Sequence, residues 1–238
     1  MSGTLYLIPN TLGANTRGGL PAVLPEDVRA VTAGLTYFVG EQAKSTRAFL
    51  KLAGVRTPIQ EIDIRELNVN TPEAAIDALL APILAGADGG LVSEAGCPAV
   101  ADPGALLVRR AHEKGVRVVP FVGPSSILLA LMASGLNGQS FAFHGYLPTD
   151  ATERAKRLRE LEQRSRKEKQ TQIFIETPYR NKAMLDALLQ SCDASTLLCV
   201  AVDVTQEAEQ IVTHRVKGWP QTSVELHKRP AIFLFLGQ

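Results

Sequence analysis

The sequence predicts an α/β protein in two parts, the first built on a mainly parallel sheet and the second on a mixed one. Three observations predict it. Short apolar runs alternate with segments of helical period through the first half, and glycines stand where those helices should stop. The second half carries four strand-like runs with one clear helix among them. At 238 residues, 45% of them apolar and 21% charged, the chain can bury a substantial core.

Residues 5–8, 35–39, 90–93 and 116–122 read as buried strands, being short apolar runs bounded by turn residues. Between them, 26–32, 42–53 and 72–84 carry apolar residues at helical spacing, with Gly34, Gly54 and Gly86 as stops. Residues 105–114 repeat the pattern and end at Gly115. Strand, helix, strand alternation with short connections implies parallel neighbours, because a parallel pair needs a crossover. Ligands of such sheets bind at the carboxyl ends of the strands. Further on, 171–175, 196–204, 209–216 and 231–236 are strand-like and 181–190 is helical, which suggests a mixed sheet. The division is expected at residue 120, giving lobes of 1–120 and 121–238.

A net charge of +1 supplies no global basic field, so a nucleic-acid partner would have to meet a local patch. One segment qualifies: RAKRLRELEQRSRKEK, residues 154–169, holds eight Lys or Arg against three Glu. It reads either as a solvated helix face or as an RNA phosphate contact. Cys97, Cys192 and Cys199 are an odd count with no C-x-x-C pair, which argues against a disulfide framework and against a zinc site, so no metal is expected. A reducing cytoplasm suits that usage. The opening MSGTLYLIPN lacks a cationic segment, and no run approaches the roughly 18 apolar residues of a membrane span, so no membrane partner is expected.

Four loops are rich in Gly, Pro, Ser and Thr: PNTLG at 9–13, SEAGCPAVADPG at 93–104, GPSS at 123–126 and ETPYRN at 176–181. Singly each is ordinary turn chemistry. At the ends of parallel strands they would converge on one crevice. Gly96 and Pro98 would let bare main chain approach a ligand, and Gly104 opens a helix whose amides favour polar or anionic groups. Ser125 or Ser126 can cap the helix ILLALMAS, a role compatible with a ligand contact. No G-x-G-x-x-G follows the first strand and no G-x-x-x-x-G-K-[ST] occurs, which removes dinucleotide and P-loop sites. Without G-x-S-x-G, and with His112, His144, His214 and His227 unpaired by spacing, a serine hydrolase is also disfavoured.

At these loops the chain resembles the tetrapyrrole methylase family of S-adenosylmethionine-dependent methyltransferases, and within it the branch of small-subunit ribosomal RNA 2′-O-ribose methyltransferases. SEAGCPAVADPG followed by VVPFVGPSS is similar to that branch's S-D-A-G-T-P-x-x-S-D-P-G and V-x-P-x-P-G-P. LYLIPNTLG is similar to L-Y-x-V-x-T-P-I-G, FHGYLP to E-G-F-L-P, and FIETPYR to Y-E-S-P-H-R, so the likeness runs along nearly the whole chain. It implies two α/β lobes with the methyl donor in a cleft between them, and a homodimer. The family's G-D-P donor loop corresponds to Gly96, Cys97 and Pro98, with Val100 further along. Pro9 would line the floor, and Ser125 and Ser126 would meet the carboxylate or sulfonium side of the donor. Glu176 and Thr177 would close the far wall, and Pro230 with Ala231 would approach the adenine. Where the branch has E-D-T-R, an ungapped reading gives Glu41, Gln42, Ala43 and Lys44, and the Asp after Ser93 becomes Glu94.

Methyl transfer from a sulfonium is an in-line displacement that chiefly needs positioning and exclusion of water. A ribose hydroxyl is a poor nucleophile and would benefit from a base. Glu94 is the first choice, then Glu41, with Glu176 a further carboxylate at the crevice mouth. Each of the three reads equally well as a loop cap or as a partner for Lys44 or Arg180. Arg180 and Tyr179 could neutralise and stack on a nucleic acid, or Tyr179 could pack. The expected function is therefore S-adenosylmethionine-dependent 2′-O-methylation of small-subunit ribosomal RNA. Its alternatives are methylation of a tetrapyrrole-like or other small molecule, and a non-catalytic protein that binds S-adenosylmethionine or RNA.

Overall fold

A computed structural model describes residues 2–219 and 224–238, and the chain divides into two compact units, 1–125 and 126–238. Residues 121–125 group with the first unit. There the Phe121 N–H still donates to Leu7 O at 3.0 Å, and Tyr6 and Phe121 stack with centroids 5.3 Å apart.

The first unit runs β1 (Thr4–Ile8), α1 (Glu26–Gly34), β2 (Tyr37–Gly40), α2 (Ala43–Ala53), β3 (Asp63–Glu66), α3 (Ile76–Leu84), β4 (Gly89–Val92), α4 (Gly104–Glu113) and β5 (Arg117–Pro120). Its five strands lie in the order β3-β2-β4-β1-β5, with every pairing parallel. Alternation along the strands divides the core in two. Leu5, Tyr37, Val39 and Leu91 pack with Leu79, Leu80, Ile83 and Leu107 of α3 and α4. Ile8, Phe38 and Val92 pack with Val28, Phe49 and Leu50 of α1 and α2.

Strand β3, sequence DIRE, escapes the apolar-run criterion because it is an edge strand with exposed ends. Its Arg65 has a structural task. Pro82 inside α3 has no N–H to give to the carbonyl of Ala78 four residues back. Arg65 Nη1 donates to that carbonyl at 2.9 Å, and its guanidinium sits 5.2 Å from the centre of the Tyr37 ring.

The second unit runs α5 (Ser126–Ser134), β6 (Phe141–Tyr146), α6 (Ala151–Glu168), β7 (Thr171–Glu176), α7 (Asn181–Ser191), β8 (Leu197–Val202), β9 (Gln210–Arg215) and β10 (Ala231–Leu236). The sheet order is β6-β7-β10-β8-β9; among the described residues β6 and β7 pair in parallel and the other neighbours antiparallel, so the sheet is mixed as expected. Strand β6, sequence FAFHGY, overlaps the start of FHGYLP, where Gly145 and a register shift between Phe143 and Tyr146 interrupt the apolar alternation that would have marked it. Phe174, Phe233, Phe235, Val200 and Val202 meet Leu158 and Leu161 of α6 and Met184 and Leu188 of α7. Phe174 and Phe233 stack at 5.8 Å. Helix α5 packs against β8, β9 and β10, and Thr213 Oγ1 donates to Ser134 O at 2.9 Å. Among the described residues no helix is long and apolar enough to cross a membrane.

Candidate active site

In the first unit the carboxyl ends of β1, β2 and β4 are adjacent, since Ile8 and Gly40 both register with Val92. This is where the crossovers turn in opposite directions: β1 lies between β4 and β5, and the chain leaves it toward β2 on one side and returns to β5 on the other. Such a switch point opens a crevice at strand ends. Pro9, Glu41 and Glu94 stand directly beyond these strands or one residue further on.

Asn10 ties two of the loops together. Its N–H donates to Gly96 O at 2.9 Å, and the Gly96 N–H returns a bond to Asn10 O at 3.2 Å. The Asn10 amide Nδ2 also donates to Ser93 O and Glu94 O at 3.1 and 3.2 Å, and Ser93 Oγ donates to Gly96 O at 2.8 Å. Gly96 has φ +70°, a left-handed conformation open to glycine, and a Cβ there would lie 3.1 Å from Leu12 and 3.3 Å from Pro124 O. Gly123 is required for a different reason: a Cβ would fall 2.2 Å from the Cβ of Pro9, so Gly123 seats directly on the residue expected as the floor. Cys97 is half-buried, its Sγ 3.5 Å from Pro124 O, and burial pushes its thiol up.

Beyond Pro98 the loop is held in an unusual shape. Ala99 and Ala101 have φ +66° and +54°, conformations that cost a residue with a Cβ about 1–2 kcal/mol each. Asp102 holds them: its Oδ1 accepts from the Ala99 N–H at 3.0 Å and from the Gly104 N–H at 2.6 Å. The three carboxyls of this region are linked. Ser45 Oγ donates to Glu94 Oε1 at 2.5 Å. Glu41 is lifted to about 7, first by burial, then by a hydrogen bond with the Asp102 carboxyl and by the charges of Asp102 and Glu94, against the pull of the Glu94 N–H.

In the second unit a separate group forms at one end of β7, β10 and β8. Ala231 registers with both Glu176 and Val202. The Glu176 carboxyl, 1% exposed, accepts from the Thr177 N–H at 2.6 Å and from Arg180 Nε and Nη2 at 3.0 and 2.6 Å. Glu176 is therefore both a loop cap, through the Thr177 N–H, and the partner of Arg180. Asn181 Nδ2 donates to Arg229 O at 2.7 Å, Asp203 N–H to Pro230 O at 3.0 Å, and Arg229 Nε pairs with Asp203 Oδ2 at 2.7 Å. Tyr179 is 79% exposed and does not pack.

Thus Pro9, Glu41, Glu94, Gly96, Cys97, Pro98 and Val100 gather in the first unit, and Glu176, Thr177, Arg180, Pro230 and Ala231 in the second. Ser125 and Ser126 straddle the boundary, with α5 beginning at Ser126. Sequence reasoning missed Asn10 and Asp102, although both lie inside quoted loops. A short polar side chain inside a Gly- and Pro-rich loop was the available signal. It also missed Asp203 with Arg229, which are 26 residues apart and meet only in the fold.

The family model of tetrapyrrole (corrin/porphyrin) methylases matches residues 13–218. Ribosomal RNA small subunit methyltransferase I of Xylella fastidiosa is 31% identical over 210 residues, 88% of this chain and 71% of that protein. The protein of the same description from Vibrio cholerae is 31% identical over 87% of this chain and 67% of its own. Among solved structures, the methyltransferase CobJ aligns over 100% of both chains with a TM-score of 0.63 at 17% identity. Uroporphyrin-III-C-methyltransferase from Thermus thermophilus gives 0.56 at 19% identity, over 99% of this chain and 93% of its own. These two show a shared fold.

Proposed function

The chain belongs to the tetrapyrrole (corrin/porphyrin) methylases, and we propose that it takes a methyl group from S-adenosylmethionine to a ribose 2′-hydroxyl of small-subunit ribosomal RNA. One observation carries the choice of acceptor: relatives described as ribosomal RNA small subunit methyltransferase I match along 88% of the chain.

The first unit's loops fit a sulfonium nucleoside. Gly96 carries no side chain and Ala99 and Ala101 turn the backbone through left-handed conformations, a loop whose main chain from Gly96 to Val100 suits contact with a small ligand. Bound there, S-adenosylmethionine supplies a methyl group already activated for displacement. Gly96, Cys97, Pro98 and Val100 would hold it, with Pro9 as floor and Ser125 and Ser126 beside it. Within the second unit, Glu176, Thr177, Pro230 and Ala231 are the proposed donor contacts. Arg180 then serves doubly, by fixing the Glu176 carboxylate and by offering its half-exposed guanidinium to the acceptor's phosphate. Glu94 has one carboxylate oxygen engaged by Ser45, whereas Glu41 is poised near neutral pH, so Glu41 suits the proton of the hydroxyl better.

The test is incubation with tritiated S-adenosylmethionine and small ribosomal subunits lacking the modification. Label should appear in RNA and survive alkali in a dinucleotide, because a 2′-O-methyl group blocks cleavage at its own phosphodiester. Label in a base, or none although calorimetry shows S-adenosylhomocysteine bound, would reject the proposal. Label on a small-molecule acceptor in place of RNA would move the chain to the other branch of its family.

A further inference from the structure

Helix α6 uses its faces differently. Leu158, Leu161 and Ser165 are buried. The charges turned inward serve the fold: Arg154 Nη1 donates to Thr149 O at 2.9 Å, and Glu162 Oε1 accepts from the Asp193 N–H and the Thr196 hydroxyl at 2.7 and 2.5 Å. On the flanks Arg157 pairs with Glu160 at 3.3 Å and Arg164 with Glu168 at 3.0 Å, while Arg166 reaches Asp193 at 3.5 Å. Lys156, Arg159 and Lys167 remain, all exposed and without an ion-pair partner among the described residues. At 3.6 residues per turn they share one outward stripe with exposed Gln163, about 16 Å long.

Two ordinary explanations fall short. Cations complement the helix macrodipole only in its last turn, which accounts for Lys167 and not for Lys156 or Arg159. A membrane-surface helix needs an apolar face beside its basic one, and the leucines of α6 are spent in the core. Eight of the second unit's fourteen Lys and Arg fall within 154–169, so the basic character is concentrated here. What fits is an extended polyanion without apolar surface. We propose that Lys156, Arg159, Gln163 and Lys167 form a docking surface for the RNA phosphate backbone, the three cations neutralising phosphates and the Gln163 amide donating to a phosphate or 2′-hydroxyl. The inference rests on RNA being the acceptor and adds where that RNA is held.

The test compares the protein with K156Q/R159Q/K167Q and with a control, K51Q/K114Q/K182Q, whose lysines are also exposed. The probe is a fluorescein-labelled 20-nucleotide oligouridylate, titrated by anisotropy at several KCl concentrations, with circular dichroism melts confirming folding. Each phosphate contact to a single strand contributes a slope of about −0.7 in log K against log salt, so the stripe variant should lose about 2 from that slope and bind at least about tenfold more weakly at low salt. The control should bind as the unaltered protein does. If the protein methylates ribosomal RNA and the stripe variant binds with unchanged slope, the docking surface is overturned and the proposed function stands. If RNA binds through the stripe but no methyl is transferred, the function falls and the surface stands; if no RNA binds, both fall. Vesicles of phosphatidylglycerol captured in place of RNA, and lost in the same variant, would also overturn it.

Discussion

Replacing Asp102 by Ala removes one carboxylate oxygen that receives two main-chain N–H groups, at 3.0 Å from Ala99 and 2.6 Å from Gly104. A hydrogen bond to a charged group contributes about 1.5–3 kcal/mol, and for a partly exposed carboxylate shared between two donors the lower end applies, giving about 2–3 kcal/mol for the pair. Those bonds oppose the left-handed cost at Ala99 and Ala101, about 1–2 kcal/mol each. Without them the loop should relax toward ordinary backbone. If the held shape is the one that binds the methyl donor, 2–3 kcal/mol translates into a dissociation constant up to about 30- to 150-fold higher. Calorimetry with S-adenosylhomocysteine reads that loss, and hydrogen exchange should show faster exchange at residues 97–103 whether or not ligand is present. Asp102→Asn keeps an acceptor oxygen and should recover most of both signals. An alanine variant that binds within twofold of the original, with unchanged exchange across 97–103, would refute the claim that Asp102 holds this loop.

Glu41→Gln tests the linked carboxyls through pH. The folded protein keeps a proton on Glu41 up to about 7 while the unfolded chain loses it near the usual 4.5, so stability from this group erodes as pH rises between those values. Glutamine mimics the protonated form at every pH; its advantage in denaturation midpoint should be near zero at about pH 4.5 and greatest above about pH 7, and a constant difference would contradict the assignment. Arg180→Ala leaves the Glu176 carboxylate, 1% exposed, with the Thr177 N–H as its remaining bond. Breaking such a pair costs about 3 kcal/mol, read as a clear fall in melting temperature, and adding Glu176→Gln should restore part of it. Gly123→Ala puts a Cβ 2.2 Å from that of Pro9; overpacking of this kind costs about 1–3 kcal/mol, and unchanged thermal stability would mean that the two loops are not in contact.

How much of this was legible in the sequence depended on whether apolar pattern or polar geometry fixed each feature. Strands β1, β2, β4, β5, β7, β8, β9 and β10 carry apolar runs and could be read. Strand β3 could not, because its residues Asp63, Arg65 and Glu66 work at a sheet edge, where Arg65 completes the bonding of a proline-containing helix. The loops could be located from their Gly and Pro content, yet what shapes them is side-chain to main-chain bonding by Asn10, Ser93 and Asp102, and nothing local in the sequence tells which amide such a residue will meet. Charge was legible as composition only. The run at 154–169 does contain a solvated face, but its inward charges on Arg154 and Glu162 brace the second unit, and only a helix of known phase separates them from the outward stripe.

That separation also bears on the departures from the family pattern. Cys97 replaces a family residue in the proposed donor loop, yet its side chain lies against Pro124 O, and the loop's shape is set by Asn10 and Asp102, so position 97 can vary without altering what the main chain presents. The segment Glu41, Gln42, Ala43, Lys44 behaves similarly. Glu41, the residue kept, joins the Asp102 carboxyl and the Glu94 N–H. The positions that differ begin α2: Gln42 O accepts from the Thr46 hydroxyl at 2.9 Å, and the Ala43 N–H donates to Glu66 at 2.8 Å. Change at 42–44 is thus absorbed by a helix start, while the contact to the loop survives. On this account the altered segment is compatible with methyl transfer, and restoring Asp, Thr and Arg at positions 42–44 should leave S-adenosylhomocysteine affinity within about twofold, whereas Glu41→Ala should not.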